Sequence, residues 1–166
     1  ALISTAGWGF TSLRLAVQSG NLKLVKLLIK KGDWVNAQVS YGDTVLMAAA
    51  ERKNIEIVKV LLKNGAKIEM KNNRGETALM KAACHGQVNI MKLLLKKGSK
   101  INKKDFNGNT ALMKACSEEE KESVKFLLKN GADFNLKNSK GKTALDIAKE
   151  YSRDKVIPIL KEVGAK

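Results

Sequence analysis

A spacing of 33 residues recurs along nearly the whole chain and restricts what the chain can fold into. Five series of identical residues keep this spacing in register, and each series has five members. The series begin at Gly9, Thr11, Leu13, Ala16 and Gly32. A fixed period of this length is typical of a solenoid, in which supersecondary units stack on their neighbours to build one continuous core.

Residues 72–104 show what one such unit contains. Asn73-Arg74-Gly75 has the composition of a turn, and Thr77 stands where it can cap the N-terminus of a helix. Residues 78–84 are then predicted to form a short alanine-rich helix, and residues 88–97 a second, more apolar one. One such pair cannot bury both of its faces, so we expect an all-α stack of turn–helix–turn–helix–loop units.

The pattern resembles the ankyrin repeat family, whose signature is Gly-x-Thr-Pro-Leu-His-x-Ala-Ala, followed later by Gly-Ala-Asp-Val-Asn. Residues 75–83 are Gly-Glu-Thr-Ala-Leu-Met-Lys-Ala-Ala, and residues 131–135 are Gly-Ala-Asp-Phe-Asn. The resemblance covers about residues 6–166. It implies a single ankyrin repeat solenoid, residues 1–166, with β-turn or hairpin tips. The five repeats would be approximately 6–38, 39–71, 72–104, 105–137 and 138–166.

Two positions depart from the family pattern in every repeat. Ser, Val or Ala replaces the proline, and the histidine is replaced by Arg14, Met47, Met80, Met113 or Asp146. The usual hydrogen bond between threonine and histidine is therefore missing, and the stabilising network must differ from that of the family.

The two ends of the array are interpreted differently. Asp154 and Lys161 occupy positions that are apolar in repeats one to three, and a polar outer face is what a terminal cap requires. Pro158 predicts that the last helix starts late or kinks. Residues 1–6 are interpreted either as a short N-terminal cap or as the remnant of an earlier repeat.

Basic side chains outnumber acidic ones by 31 to 16, which gives a formal net charge of +15. This excess favours an acidic partner, whether a protein, a nucleic acid or an anionic membrane. The predominance of lysine, with frequent Asn and Ile, is also typical of an A+T-rich genome.

Eight lysines form a ladder on the second helices: Lys26, Lys30, Lys59, Lys63, Lys92, Lys96, Lys125 and Lys129. We favour a solvated face over a nucleic-acid or lipid site, because no aromatic residues interleave with the ladder.

Catalysis has little support in the sequence. His85 is the single histidine, and Cys84, His85 and Cys116 lack the fourth ligand and the spacing of a zinc site. The two cysteines are expected to stay unpaired, because packed neighbouring helices hold them too far apart for a disulfide. The chain is therefore predicted to be no enzyme and to need no cofactor. Two free thiols, with no visible leader and no membrane-length apolar segment, favour a cytoplasmic location.

The family resemblance implies that a protein partner binds the turn tips and the concave ends of the first helices. The tip candidates, carried over by repeat position, are Trp8, Phe10, Ser40, Tyr41, Asp43, Asn73, Arg74, Glu76, Phe106, Asn107 and Asn109. The first helices add Gln18, Glu51, Arg52, Cys84, His85, Ser117 and Glu118. Further lysines stand at the tips or enter them from the loops: Lys71, Lys104, Lys137, Lys140 and Lys142.

Trp8, Tyr41 and Phe106 are the foremost of these candidates, because aromatic residues are scarce in the chain and are enriched at interaction hot spots. The alternative is that each tip aromatic packs on the turn of its neighbour. The predicted function is a monomeric scaffold that binds a protein partner, which would be acidic if the charge excess is functional. A basic surface for nucleic acid or an anionic membrane is the less favoured alternative.

Residues 117–122 interrupt the repeat pattern. Glu119 replaces the glycine of the inter-helix turn, and Lys121 stands where Leu22, Ile55 and Val88 stand in earlier repeats. The acidic run could orient a basic segment of a partner. A tolerated surface turn is the interpretation that we favour.

Overall fold

The computed structural model describes residues 11–165, and the helices in this part of the chain form five consecutive pairs. In chain order they are α1 (Ser12–Gln18), α2 (Leu22–Lys30), α3 (Val45–Glu51), α4 (Ile55–Lys63), α5 (Ala78–Cys84), α6 (Val88–Lys96), α7 (Ala111–Ser117), α8 (Lys121–Lys129), α9 (Ala144–Glu150) and α10 (Ile157–Glu162). A further 3-10 turn covers Ser40–Gly42. The expected all-α stack of helix–turn–helix units is confirmed.

Each first helix of a pair begins behind a threonine cap, as the sequence predicts. The Thr77 hydroxyl accepts a hydrogen bond from the main-chain N–H of Met80 at 3.4 Å, and the other four threonines of the series do the same three residues ahead. In the last unit the cap is reciprocal, because the Asp146 carboxylate accepts bonds from the main-chain N–H and the hydroxyl of Thr143. Asp146 thus supplies a side-chain bond to the capping threonine where the family uses histidine.

The turn between the two helices of a unit requires a left-handed residue. Gly86 takes φ +68° there, but the equivalent Lys53, Glu119 and Ser152 also have positive φ, between 52° and 59°. Side chains with a Cβ adopt this region at a cost, so these turns carry backbone strain. Glu119 is held in it by Lys155, whose main-chain N–H donates to the Glu119 carboxylate at 3.1 Å. The segment is therefore a turn that also contacts the fifth unit, through Glu119 and Lys155.

The core runs through the stack as a continuous column. The leucine and alanine series of the first helices are buried in all five units, and the second helices add apolar residues such as Ile57, Leu61 and Leu94. Neighbouring first helices contact each other much more closely than neighbouring second helices do. The small alanine side chains permit this approach, and the array therefore curves with the first helices on its inner, concave side.

The last pair differs from the earlier pairs in its second helix. Asp154 and Lys161 are exposed. The helix α10 begins at Ile157, three residues after the position that matches the start of α8, and Pro158 lies in its first turn, where a missing N–H costs nothing. The prediction of a late start is confirmed.

Candidate partner-binding surface

The last three turn tips are each shaped by a polar side chain that precedes the turn, buried at Asn72 and Asp105 and half-buried at Asn138. The Asn72 side-chain oxygen accepts hydrogen bonds from the main-chain N–H groups of Arg74 and Glu76, both at 2.9 Å. Asp105 and Asn138 hold the two following tips in the same way. Because both turn N–H groups are satisfied internally, these tips have one defined shape.

The second tip lacks this device. Val39 stands where the later repeats have Asn72, Asp105 and Asn138. Tyr41 there adopts φ +61°, a left-handed conformation that its counterpart Arg74 does not share. The tip keeps the two main-chain bonds that the later tips also make, here from the Val39 N–H to the Asp43 oxygen and from the Gly42 N–H to the Val39 oxygen. This tip thus presents an aromatic side chain from a strained backbone position.

Main-chain hydrogen bonds join each tip to the next. The N–H of Asn73 donates to the oxygen of Tyr41 at 2.9 Å, and the N–H of Phe106 donates to the oxygen of Arg74 at 3.0 Å. Ser139 completes the series by donating to Asn107 at 2.9 Å. The tips therefore form one continuous edge from the second unit to the fifth.

Long side chains reinforce this edge, and we call them the tip ladder. The Gln38 side-chain amide donates to the main-chain oxygen of Lys71 at 2.8 Å, Lys71 Nζ donates to the oxygen of Lys104 at 2.8 Å, and Lys104 Nζ donates to that of Lys137 at 2.8 Å. Each donor thus reaches its counterpart one unit later. Lys71 and Lys104, which the sequence offers as tip lysines for a partner, thus also bind the next tip within the chain.

Two aromatic side chains stand out from the tip edge. Tyr41 is 72% exposed and Phe106 is 66% exposed. Arg74 places its guanidinium 5.9 Å from the ring centre of Tyr41, and Lys71 places its ammonium 5.3 Å from that of Phe106. Both rings are therefore oriented by a cation from the neighbouring tip while most of their area remains in solvent.

Lys81 lies at the centre of an ion-pair network on the concave face. Its ammonium is 2.9 Å from the Glu51 carboxylate, 3.4 Å from that of Glu76 and 3.7 Å from that of Asp43. Only 15% of the Lys81 side chain is exposed. Burial opposes its charged form, yet the bond to Glu51 and the surrounding carboxylates raise the pKa of Lys81.

Lys114 repeats this arrangement one unit later, 2.6 Å from Glu76 and 3.0 Å from Asp105. Glu76 is thus shared by two lysines. Burial disfavours its carboxylate, but hydrogen bonds from Lys114 and Asn72 and the charges of Lys114 and Lys81 outweigh this and lower the pKa of Glu76 to about 2. The charges of Lys81 and Lys114 are thus neutralised by carboxylates within the concave face.

The predicted binding residues differ in how they are placed. Eight are exposed: Tyr41, Arg52, Asn73, Arg74, His85, Phe106, Asn107 and Glu118. Seven are half-buried: Gln18, Ser40, Asp43, Glu51, Cys84, Asn109 and Ser117. Glu76 is buried, so its expected place at an open tip is corrected: its carboxylate belongs to the internal network. Trp8 and Phe10 lie outside the described residues.

Sequence reasoning missed Asn72, Lys81, Asp105 and Lys114, which organise the tips and the concave face. A signal for the tip residues was present, because Asn72, Asp105 and Asn138 recur at the same repeat position. Nothing in the spacing indicates that two concave lysines meet carboxylates from the unit before them. Such cross-unit pairs depend on side-chain length and on the curvature of the stack.

Both thiols are free, as predicted. Burial and the charge of Glu118 raise the pKa of Cys84 to about 11, and burial raises that of Cys116 to about 12. The Cys84 thiol is therefore protonated at neutral pH and is a poor nucleophile.

Within residues 11–165 no three His, Cys, Asp or Glu side chains are grouped to hold a metal ion. No helix among these residues has the length and apolar character needed to cross a membrane.

The stacked pairs, the threonine caps and the linked tips agree with the comparison of the sequence with family models. The model for ankyrin repeats, in three copies, matches residues 13–105 and again residues 100–166. The chain belongs to the ankyrin repeat family. Ankyrin repeats are in general modules for protein–protein interaction and not enzymes. A comparison with curated proteins finds no match to this ankyrin repeat chain.

Proposed function

We propose that the chain is a monomeric, non-catalytic cytoplasmic scaffold that binds a protein partner through its tip edge and concave face. The observation that carries this proposal is the exposure of Tyr41 and Phe106 on tips held in place by hydrogen bonds. Neither ring fills the core. Because their tips are held by hydrogen bonds, both rings would lose little conformational freedom when a partner binds. Rigid, exposed aromatic groups of this kind dominate the free energy of protein interfaces.

Exposed residues beside the two rings extend the proposed surface. Arg74 and Asn107 lie on the same edge, and Arg52, His85 and Glu118 lie at the far ends of first helices. The outer lysine ladder lies on the second helices, away from this surface, and two of its members pair with acids of their own helix: Lys59 with Glu56 and Lys125 with Glu122. We therefore assign the outer face to solvent.

A capture experiment with matched variants tests the proposal. Wild-type protein is compared with a Tyr41→Ser, Phe106→Ser double variant and with a Lys92→Ser control on the exposed outer face. We expect protein partners held by the wild type and the control to be lost, by about tenfold or more, from the double variant. Size-exclusion chromatography of the free protein should show a monomer.

Two results would contradict the proposal. The first is capture that the double variant retains in full but the Lys92→Ser control loses. The second is an affinity for random duplex DNA or phosphatidylserine vesicles that falls steeply with salt, together with no protein capture that depends on the tips. That result would assign the function to the basic outer face.

A further inference from the structure

A depression opens on the concave side between the fourth and fifth units. Its volume is about 360 Å³, and its lining includes Met113, Ser117, Asn138, Lys140, Ile147 and Tyr151. These residues come from α7, from the tip of the fifth unit, and from α9 and the residue that follows it. The space is large enough for one leucine- or phenylalanine-sized side chain together with the main chain that carries it.

The depression exists because the ion-pair network stops at this junction. Lys81 and Lys114 cover the two preceding junctions, but Ile147 occupies their position in the last unit. Asn109 likewise stands where Asp43 and Glu76 supply carboxylates. Ile147 is shorter than lysine and carries no charge to pair across the junction, and the depression lies at this position.

Most of the lining of this space is polar and includes Lys114 and Glu150, whereas Met113, Ile147 and Tyr151 form its apolar part. Met113 and Ile147 are buried residues that line its floor, while Tyr151 is 55% exposed. The guanidinium of Arg153 lies 5.9 Å from the centre of the Tyr151 ring, and its Nε donates to the Ser117 main-chain oxygen at 2.8 Å. Arg153 therefore fixes this wall and adds positive charge behind it.

The charge of the concave face changes sign along the array. One repeat position holds Asp43, Glu76, Asn109 and Lys142 in successive units. Lys142 is 2.6 Å from the Glu150 carboxylate, whereas Lys140 makes no ion pair among residues 11–165. Glu150 also lines the depression and balances the charge of Lys142, so the unpaired positive charge at the rim is that of Lys140, in contrast to the carboxylate-rich second and third units.

We propose that this depression anchors the partner by taking one large apolar side chain from an acidic segment of that protein. This inference rests on the proposed protein-binding function and adds the chemistry of the partner. The apolar part of the lining, Met113, Ile147 and Tyr151, receives the inserted side chain, and Lys140 and Arg153 attract the acidic residues that flank it.

The test uses random peptides displayed on phage and selected on the full chain. We expect enriched peptides to carry Asp or Glu around a large apolar residue. Synthetic copies should bind the Ile147→Lys variant about tenfold or more weakly, because lysine fills the space as it does in the preceding units. Leu27→Lys, the same change on an exposed outer position, should bind normally.

A second variant, at an exposed position, tests the depression without disturbing the core. Lys140→Glu changes an exposed side chain without an ion partner, and we expect weaker binding and a smaller dependence of affinity on salt. Lys92→Glu makes the same change on the outer face and should have no effect.

Three results would overturn the inference. Selected peptides that are basic would contradict the assigned charge. Peptides that lose binding with Tyr41→Ser and Phe106→Ser but not with Ile147→Lys or Lys140→Glu would refute the depression while leaving the proposed function intact. Peptides that are insensitive to both sets of changes, or a selection that enriches none, would count against both.

Discussion

The ammonium group of Lys71 lies 2.8 Å from the main-chain oxygen of Lys104, its own counterpart 33 residues later. The same ammonium lies 5.3 Å from the ring centre of Phe106. One side chain thus links two tips and orients an exposed aromatic residue. The rigidity of the tip edge and its presentation of aromatic groups depend on the same contact.

Replacing Lys71 by methionine should therefore weaken both properties. We expect a loss of about 1 kcal/mol in the free energy of unfolding, because one hydrogen bond between units disappears while the aliphatic stem is kept. The Phe106 ring should become more mobile, which line widths or relaxation of its aromatic NMR signals would report. Lys92→Met, on the outer face, should change neither quantity, and an equal loss in both variants would contradict the assignment.

Asn72 should be among the most sensitive polar residues of the chain. Its side chain accepts from two N–H groups and donates to Asp43 at 2.7 Å and to Glu76 at 2.9 Å. We expect Asn72→Ala to cost about 2–4 kcal/mol in a denaturant titration, because buried groups lose their partners.

Asn72→Asp provides a sharper comparison, because it keeps the acceptor oxygen but removes both donated bonds and places a third carboxylate beside Asp43 and Glu76. It should also destabilise the fold at neutral pH and recover part of the loss in acid. The exposed neighbour Asn73 is the control, and Asn73→Ala should change stability by less than about 0.5 kcal/mol.

Acid should weaken the concave network through Glu76. Its pKa is lowered from 4.5 to about 2 in the folded protein. A depressed carboxyl pKa stabilises the fold above its unfolded value, and this contribution is lost as the pH falls from about 4.5 towards 2. The loss should reach up to about 3 kcal/mol, because the Glu76 side chain is only 8% exposed and little screened.

Denaturant titrations at several pH values would measure this effect. Other carboxyl groups titrate over the same range, so the quantity to follow is the difference between wild type and Glu76→Gln. That difference should be largest at pH 7 and should shrink through the interval. A difference that stays constant with pH would show that the Glu76 charge contributes nothing.

Removing backbone strain at the second inter-helix turn should stabilise the protein. Lys53 has φ +56°, whereas Gly86 stands at the equivalent position in the next unit. We expect Lys53→Gly to raise the free energy of unfolding by about 1 kcal/mol. Gly86→Ala is the opposite change and should lower it, since a residue with a Cβ is strained at the Gly86 φ of +68°. Thermal melting of both variants checks the sign of each effect.

Positions that repeat locally were predictable from the sequence. Thr77 caps its helix, Gly98 follows the end of a second helix, and Tyr41 and Phe106 are exposed at tips. Each of these outcomes depends on residues within one unit, where composition and spacing carry the information. The late start of α10 at Pro158 was equally local.

Contacts between units were much less predictable. Glu76 and Lys71 are residue types that usually lie at the surface. Glu76 is nevertheless buried between two lysines, and Lys71 binds the next tip. The cross-unit partners, Lys104 for Lys71 and Lys114 for Glu76, lie 33 and 38 residues away. Whether such side chains meet depends on how closely the first helices approach, which a single sequence does not specify.

The tip ladder also has a direction, because every donor belongs to the earlier unit and every acceptor to the later one. A duplicated inner unit would receive a bond from the unit before it and give one to the unit after it. An inserted or deleted segment of any other length would break the tip register and the alignment of the first helices together. An ancestor of this array could therefore have gained or lost whole units while keeping the existing contacts between units.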